Sequence, residues 1–185
     1  MKKLMTALAI AMVAAATQAA SFDWKTGTTG KVYEAGTTTL LGAGTAYIFD
    51  AGATTQQSVL TAFLNGEDWT TGKLDSKAVA SGAIKATNAE AFSYGTAGTS
   101  YDFYLALVNG DSIFISDTVK LTAGEVGYET ASFNVKTASQ AAATALEKTG
   151  AFANPGWYTQ SVPEPTSGLL LLLGIAGLAL KRKQA

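Results

Sequence analysis

The stretch that decides the fold is Tyr101 to Leu121, YDFYLALVNGDSIFISDTVKL. Two runs rich in β-branched and aromatic residues flank Asn109-Gly110, a dipeptide that favours a tight hairpin turn because both residues tolerate positive φ. A strict two-residue turn there sets Leu107 opposite Ser112 and Leu105 opposite Phe114. A three-residue loop, Asn109 to Asp111, instead groups Phe103, Leu105 and Leu107 with Ile113 and Ile115 on one face. Slipping the register by one residue exchanges the faces of a strand, so the apolar pattern favours the odd loop. The other face still carries Tyr104, Ala106, Val108 and Phe114, which places the hairpin at the centre of the core and covered on both sides.

Outward from this hairpin the chain alternates short strand signals with turns. Ser21 to Gly36 holds Phe22, Trp24, Val32 and Tyr33 between Gly and Thr, the pattern of a short first strand and turns. Strands are expected near 31–34, 37–41 and 45–49, from β-branched and aromatic residues bounded by glycines. Thr54 to Asn65 differs: Val59, Leu60, Phe63 and Leu64 fall at helical spacing, Thr54 or Thr55 can cap the start, and Asn65-Gly66 can end it. Lys77 to Tyr94 reads as one or two half-exposed strands, and Ala131 to Val135 as another. Thr137 to Lys148 is Ala-rich and reads as a helix capped by Thr137 or Ser139, with Gly150 as a stop. Asn154-Pro155-Gly156 turns the chain into Trp157-Tyr158. The expectation is a mainly β, β-sandwich-like single domain over 20–160 with one or two peripheral helices; an α+β domain is the alternative.

Both ends of the chain differ from this middle. Residues 1–19 read as a secretory signal helix, with Lys2 and Lys3 ahead of the apolar run Leu4 to Ala16 and small residues at the close. Signal peptidase is expected to cut after Ala19, with Ala20 as the alternative. At the other end, 161–167 is an extended linker containing Val162, Pro163, Glu164 and Pro165, whose prolines keep it out of packed structure and open to a protease. An uncharged run follows: Gly168, Leu169, Leu170, Leu171, Leu172, Leu173, Gly174, Ile175, Ala176, Gly177, Leu178, Ala179 and Leu180. As a helix this run spans roughly 20 Å, short against a hydrocarbon core of about 30 Å. It reads as a transmembrane helix with a transient hold on the membrane. Lys181, Arg182 and Lys183 then form a basic tail, over 181–185, that holds the C-terminus in the cytoplasm.

The order and spacing of Pro163-Glu164-Pro165, the helix Gly168 to Leu180 and the basic cluster Lys181 to Lys183 resemble the PEP-CTERM sorting signal. The resemblance covers only the tail. It implies an exosortase-type membrane enzyme that cleaves near the triplet, an inner-membrane intermediate, and delivery to the cell surface or beyond it. It also implies an association with exopolysaccharide.

Composition then restricts the chemistry of the middle. From Ala20 to Pro165 there are eight lysines against 14 acids, a net charge of −6, and no arginine. Such a segment lacks the clustered cations that phosphate binding draws on, so nucleic acid is not an expected partner. The chain has no histidine and no cysteine, which removes Ser-His-Asp and Cys-His catalysis and His-based zinc sites. No catalytic residue, metal or cofactor is assigned. A hydrolase working with two carboxylates is the third reading, behind a structural or adhesive surface protein and a polysaccharide-binding module. For the second reading the candidates are aromatic rings that stack on sugars: Trp69 and Trp157 first, with Trp24 and Tyr158. The turns Asn65-Gly66-Glu67-Asp68 and Asn109-Gly110-Asp111 offer oxygens to calcium but lack EF-hand spacing, and read better as turn residues.

Overall fold

A computed structural model describes residues 20–86, 91–124 and 127–161. The expected signal segment up to Ala19, the sorting motif Val162 to Pro165, the apolar run Gly168 to Leu180 and the basic tail Lys181 to Lys183 lie outside the described residues. Two sheets pack face to face. The smaller has the order β4(Phe92–Tyr94), β1(Ala20–Thr26), β8(Tyr128–Phe133), with β1 antiparallel to β4 and parallel to β8. The larger runs β3(Asp75–Ala80), β2(Ala43–Asp50), β5(Ser100–Asn109), β6(Ser112–Ile115), β10(Gly156–Gln160), β9(Thr144–Leu146). Its seventh strand, β7(Val119–Thr122), pairs with the first half of β5 while β6 pairs with the second half. The fold is mainly β, as the sequence leads one to expect.

The central place of β5 follows from its composition. Phe103, Tyr104, Leu105, Ala106 and Leu107 are all fully buried. One face of the large sheet, with Ile48, Phe103, Leu105, Leu107, Phe114 and Trp157, packs on Phe22, Trp24, Ala131 and Phe133 of the small sheet. The other, with Phe49, Tyr104, Ala106, Ile113, Ile115 and Tyr158, packs under α1(Gln56–Asn65) through Val59, Leu60 and Leu64. A strand buried on both faces carries no alternation of polar and apolar residues.

That double burial corrects the hairpin register. The turn is Gly110-Asp111, with Asn109 paired to Ser112, Val108 to Ile113 and Leu107 to Phe114. Neither the odd loop nor the turn centred on Asn109-Gly110 forms. Gly110 takes the left-handed conformation, φ +57°, and is the turn's first central residue. Phe114 therefore joins Leu105 and Leu107 toward the small sheet, and Ile113 and Ile115 join Tyr104 toward α1. Both runs are apolar on both faces, so burial alone does not separate one register from the next.

The N-terminal strands also shift. The first is β1, over Ala20–Thr26, whereas 31–34 and 37–41 contribute only the single bridge Tyr33 to Leu40. α1 forms as its caps dictate: the Thr55 side chain accepts from the Ser58 N–H at 3.1 Å, and Gly66 ends the helix at φ +72°. The expected helix over Thr137 to Lys148 is shortened to α2(Lys136–Gln140), which has no side-chain cap. Beyond it the chain becomes extended and β9 pairs in parallel with β10. The Ala141 carbonyl accepts from the Gly36 N–H at 2.8 Å and the Ser139 carbonyl from the Trp157 indole at 3.0 Å. Distant partners thus take the carbonyls that a longer helix would use.

Candidate functional site

The four aromatic candidates separate by burial. Trp24 and Trp157 are 0% and 1% exposed, and Tyr158 is buried too. The Trp157 indole N–H donates to the Tyr33 and Ser139 carbonyls, both at 3.0 Å, and its ring meets Phe114 edge-on at 5.5 Å. A ring enclosed in this way has no face for a sugar, so Trp157, Trp24 and Tyr158 are core residues and not stacking platforms. Trp69 alone of the four is half-buried.

Trp69 sits in the turn-rich segment after α1 and lines a cleft of about 250 Å³ between that segment and the helix. Ser58, Val59 and Ala62 of α1 form one wall; Asp68, Trp69 and Thr71 form the other, with Ala53, Thr54 and Gly72 between them. The indole is held by an edge-on contact with Tyr47, centroids 5.1 Å apart at 85°, and Lys73 Nζ lies 4.8 Å from the centroid of the same Tyr47 ring. Asp68 accepts from the Thr70 hydroxyl at 2.7 Å, the Thr70 N–H at 2.9 Å and the Thr71 hydroxyl at 3.2 Å. These bonds, the Thr70 hydroxyl first, hold its carboxyl below the usual carboxylate range. An ionised acceptor, several hydroxyls and a fixed indole are the groups that meet a sugar, which presents hydroxyl donors on its rim and C–H groups on its face.

The two turns noted as oxygen-rich have turn roles. Gly66 is the helix cap, and the Asp68 oxygens are occupied by Thr70 and Thr71. Gly110-Asp111 closes the β5–β6 hairpin.

A second polar cluster, absent from the sequence reading, lies between the sheets. Asp23 of β1 is fully buried, and Lys77 of β3 donates to its Oδ1 and to the Trp24 carbonyl, the latter at 3.1 Å. The Trp24 indole N–H donates to Asp75 Oδ2 at 2.7 Å. The signal was a run of charged residues, Asp23 and Lys25 around Trp24, with Asp75 and Lys77 on one face of an alternating strand. At the other end of the interface the Tyr94 hydroxyl donates to Asp50 Oδ2 at 2.6 Å. Burial first, and the Asp50 carboxylate next, push the Tyr94 phenol up to about 12.

Among the described residues no helix is long and apolar enough to cross a membrane. No curated protein and no solved structure matches this chain significantly. The family comparison finds one segment, residues 161–183, which match the model of the PEP-CTERM protein-sorting motif. That span contains Pro163-Glu164-Pro165, the apolar run and the basic cluster. The chain ends in a PEP-CTERM sorting signal, the mark of an exported protein processed by exosortase.

Proposed function

We propose that the chain is a non-catalytic structural or adhesive protein of the cell surface or extracellular matrix, retained among exopolysaccharide as part of a biofilm. The sorting motif at 161–183 is the observation that carries this reading. It is joined to a β domain without cysteine or histidine, and so without a Ser-His or Cys-His pair or a His-based metal site. Signal peptidase acts at the N-terminus in this scheme. A cut after Ala19 leaves β1 whole, whereas a cut after Ala20 removes the buried residue that pairs with Tyr94. The test is the intact mass of the protein from its own cells, fractionated into membrane, surface and medium. A species that starts at Ala20, ends near Pro165 and lies outside the membrane fraction is expected. A membrane-bound species that keeps Gly168 to Ala185 would overturn the reading.

The Trp69 cleft favours a second reading, a polysaccharide-binding module. Under it, Trp69→Ala weakens retention on the native exopolysaccharide, because the indole supplies the apolar face on which the C–H face of a sugar stacks. Thermal unfolding of the same variant, changed little, shows that the loss is local. Equal retention of both proteins would leave the structural role alone.

A further inference from the structure

Asp23 and Lys77 are the most deeply buried charged side chains among the described residues, 0% and 6% exposed. They join different sheets: Asp23 lies on β1, the central strand of the small sheet, and Lys77 on β3, at the edge of the large one. Around them stand the Trp24 ring, whose centroid is 5.5 Å from Lys77 Nζ, and Ala46, which faces Lys77 across the β2–β3 pair. The hydrogen bonding is uneven. Asp23 Oδ1 accepts from the Trp24 N–H at 2.7 Å as well as from Lys77, while Oδ2 is buried with no hydrogen-bond partner. A buried ion pair carries a large desolvation cost, and an unsatisfied carboxylate oxygen adds to it.

We propose that Lys77 Nζ and Asp23 Cγ are joined by an intramolecular amide that bolts the two sheets together. The pair has the composition of that amide plus one water. A proton passes from the ammonium to the carboxylate, and the freed amine lone pair attacks Cγ to form the N–C bond. A second proton passes from nitrogen to the departing oxygen, the C–O bond breaks, and water leaves. Oxidation states do not change and no co-reactant is consumed. The arrangement of these atoms fits the product better than the reactants. Oδ2, the oxygen without a partner, is the one lost. Oδ1 remains as the amide carbonyl and keeps the Trp24 N–H; the amide N–H keeps the Trp24 carbonyl, 3.1 Å from Nζ. Both buried charges disappear in the process. The Trp24 indole, fixed by Asp75, walls the bond from water and opposes hydrolysis. In a chain without cysteine, this bond closes the loop from residue 23 to residue 77 as a disulfide would in other exported domains.

The test is tryptic peptide mapping of the denatured full-length protein, purified after export. A branched peptide is expected that carries Asp23 and Lys77, is lighter by one water than its two arms, and is uncut at Lys77, since trypsin does not cleave after an acylated lysine. Asp23→Asn forms the same branched peptide by losing ammonia in place of water. Lys77→Arg yields two linear peptides, a lower thermal midpoint and slower migration on a denaturing gel. Folded wild-type protein whose Asp23 and Lys77 peptides are recovered separately at full mass overturns the proposal, and this holds whether or not Lys77→Arg folds.

Discussion

The two faces of the large sheet are both apolar and both covered along β5 and β6, yet they are secured differently. Under α1, the polar links run from side chains to backbone: Gln56 to the Ser116 carbonyl, Gln57 to the Gly150 carbonyl, Tyr104 to the Thr54 carbonyl. Against the small sheet, pairs of side chains are added to bonds of that kind: Lys77 to Asp23 as well as to the Trp24 carbonyl, Trp24 to Asp75, Tyr94 to Asp50. A backbone carbonyl is present whatever the residue, so the helix face tolerates substitution at the acceptor. A side-chain pair needs both residues and the register that brings them together. The inter-sheet face is thus the more specific of the two and the more easily broken.

The largest expected effect sharpens that contrast. Trp24→Ala removes a fully buried ring from between the sheets, an operation that costs about 3–5 kcal/mol, and leaves Asp75 without its donor and the Asp23–Lys77 pair open to water. A domain at the lower end of ordinary stability, about 5 kcal/mol, loses most of its margin. Urea unfolding of this variant is expected to begin without a native baseline. Leu60→Ala on the helix face deletes a fully buried side chain with no polar dependants and should cost about 3 kcal/mol, leaving a cooperative transition at lower denaturant. Equal losses in the two variants would break the comparison.

The same contrast explains what the sequence disclosed. α1 was legible because each of its determinants is local: the Thr55 cap, the spacing of Val59, Leu60 and Leu64, and Gly66 at the end. The central position of β5 was legible from unbroken hydrophobicity, but its register with β6 was not, because a run apolar on both faces accepts a shift without exposing anything. The segment after Ser139 was misread because alanine favours a helix in isolation, whereas pairing with β10 and the bonds from Gly36 and Trp157 decide it from a distance. Trp69 and Trp157 had equal standing as sugar platforms. Only tertiary packing separates the ring at the cleft from the ring in the core. The Asp23–Lys77 pair was invisible for the same reason, since its members stand 54 positions apart.

The smallest expected effect tests the far end of the inter-sheet face. Tyr94 is only partly buried, so Tyr94→Phe should cost about 1 kcal/mol, the usual net value of one hydrogen bond. Its pH dependence is more diagnostic than its size. The folded chain holds the Tyr94 proton up to about pH 12, whereas the unfolded chain releases it near the ordinary 10.0. The stabilisation is therefore complete below pH 10 and is lost as pH rises through about 12. Urea midpoints measured across this window should fall in the wild type and fall less steeply in Tyr94→Phe. A residual slope is expected from Tyr104, whose phenol burial also pushes up. Parallel slopes in the two proteins would mean that the Tyr94–Asp50 bond does not persist in solution, and that the inter-sheet face is secured at the Trp24 end alone.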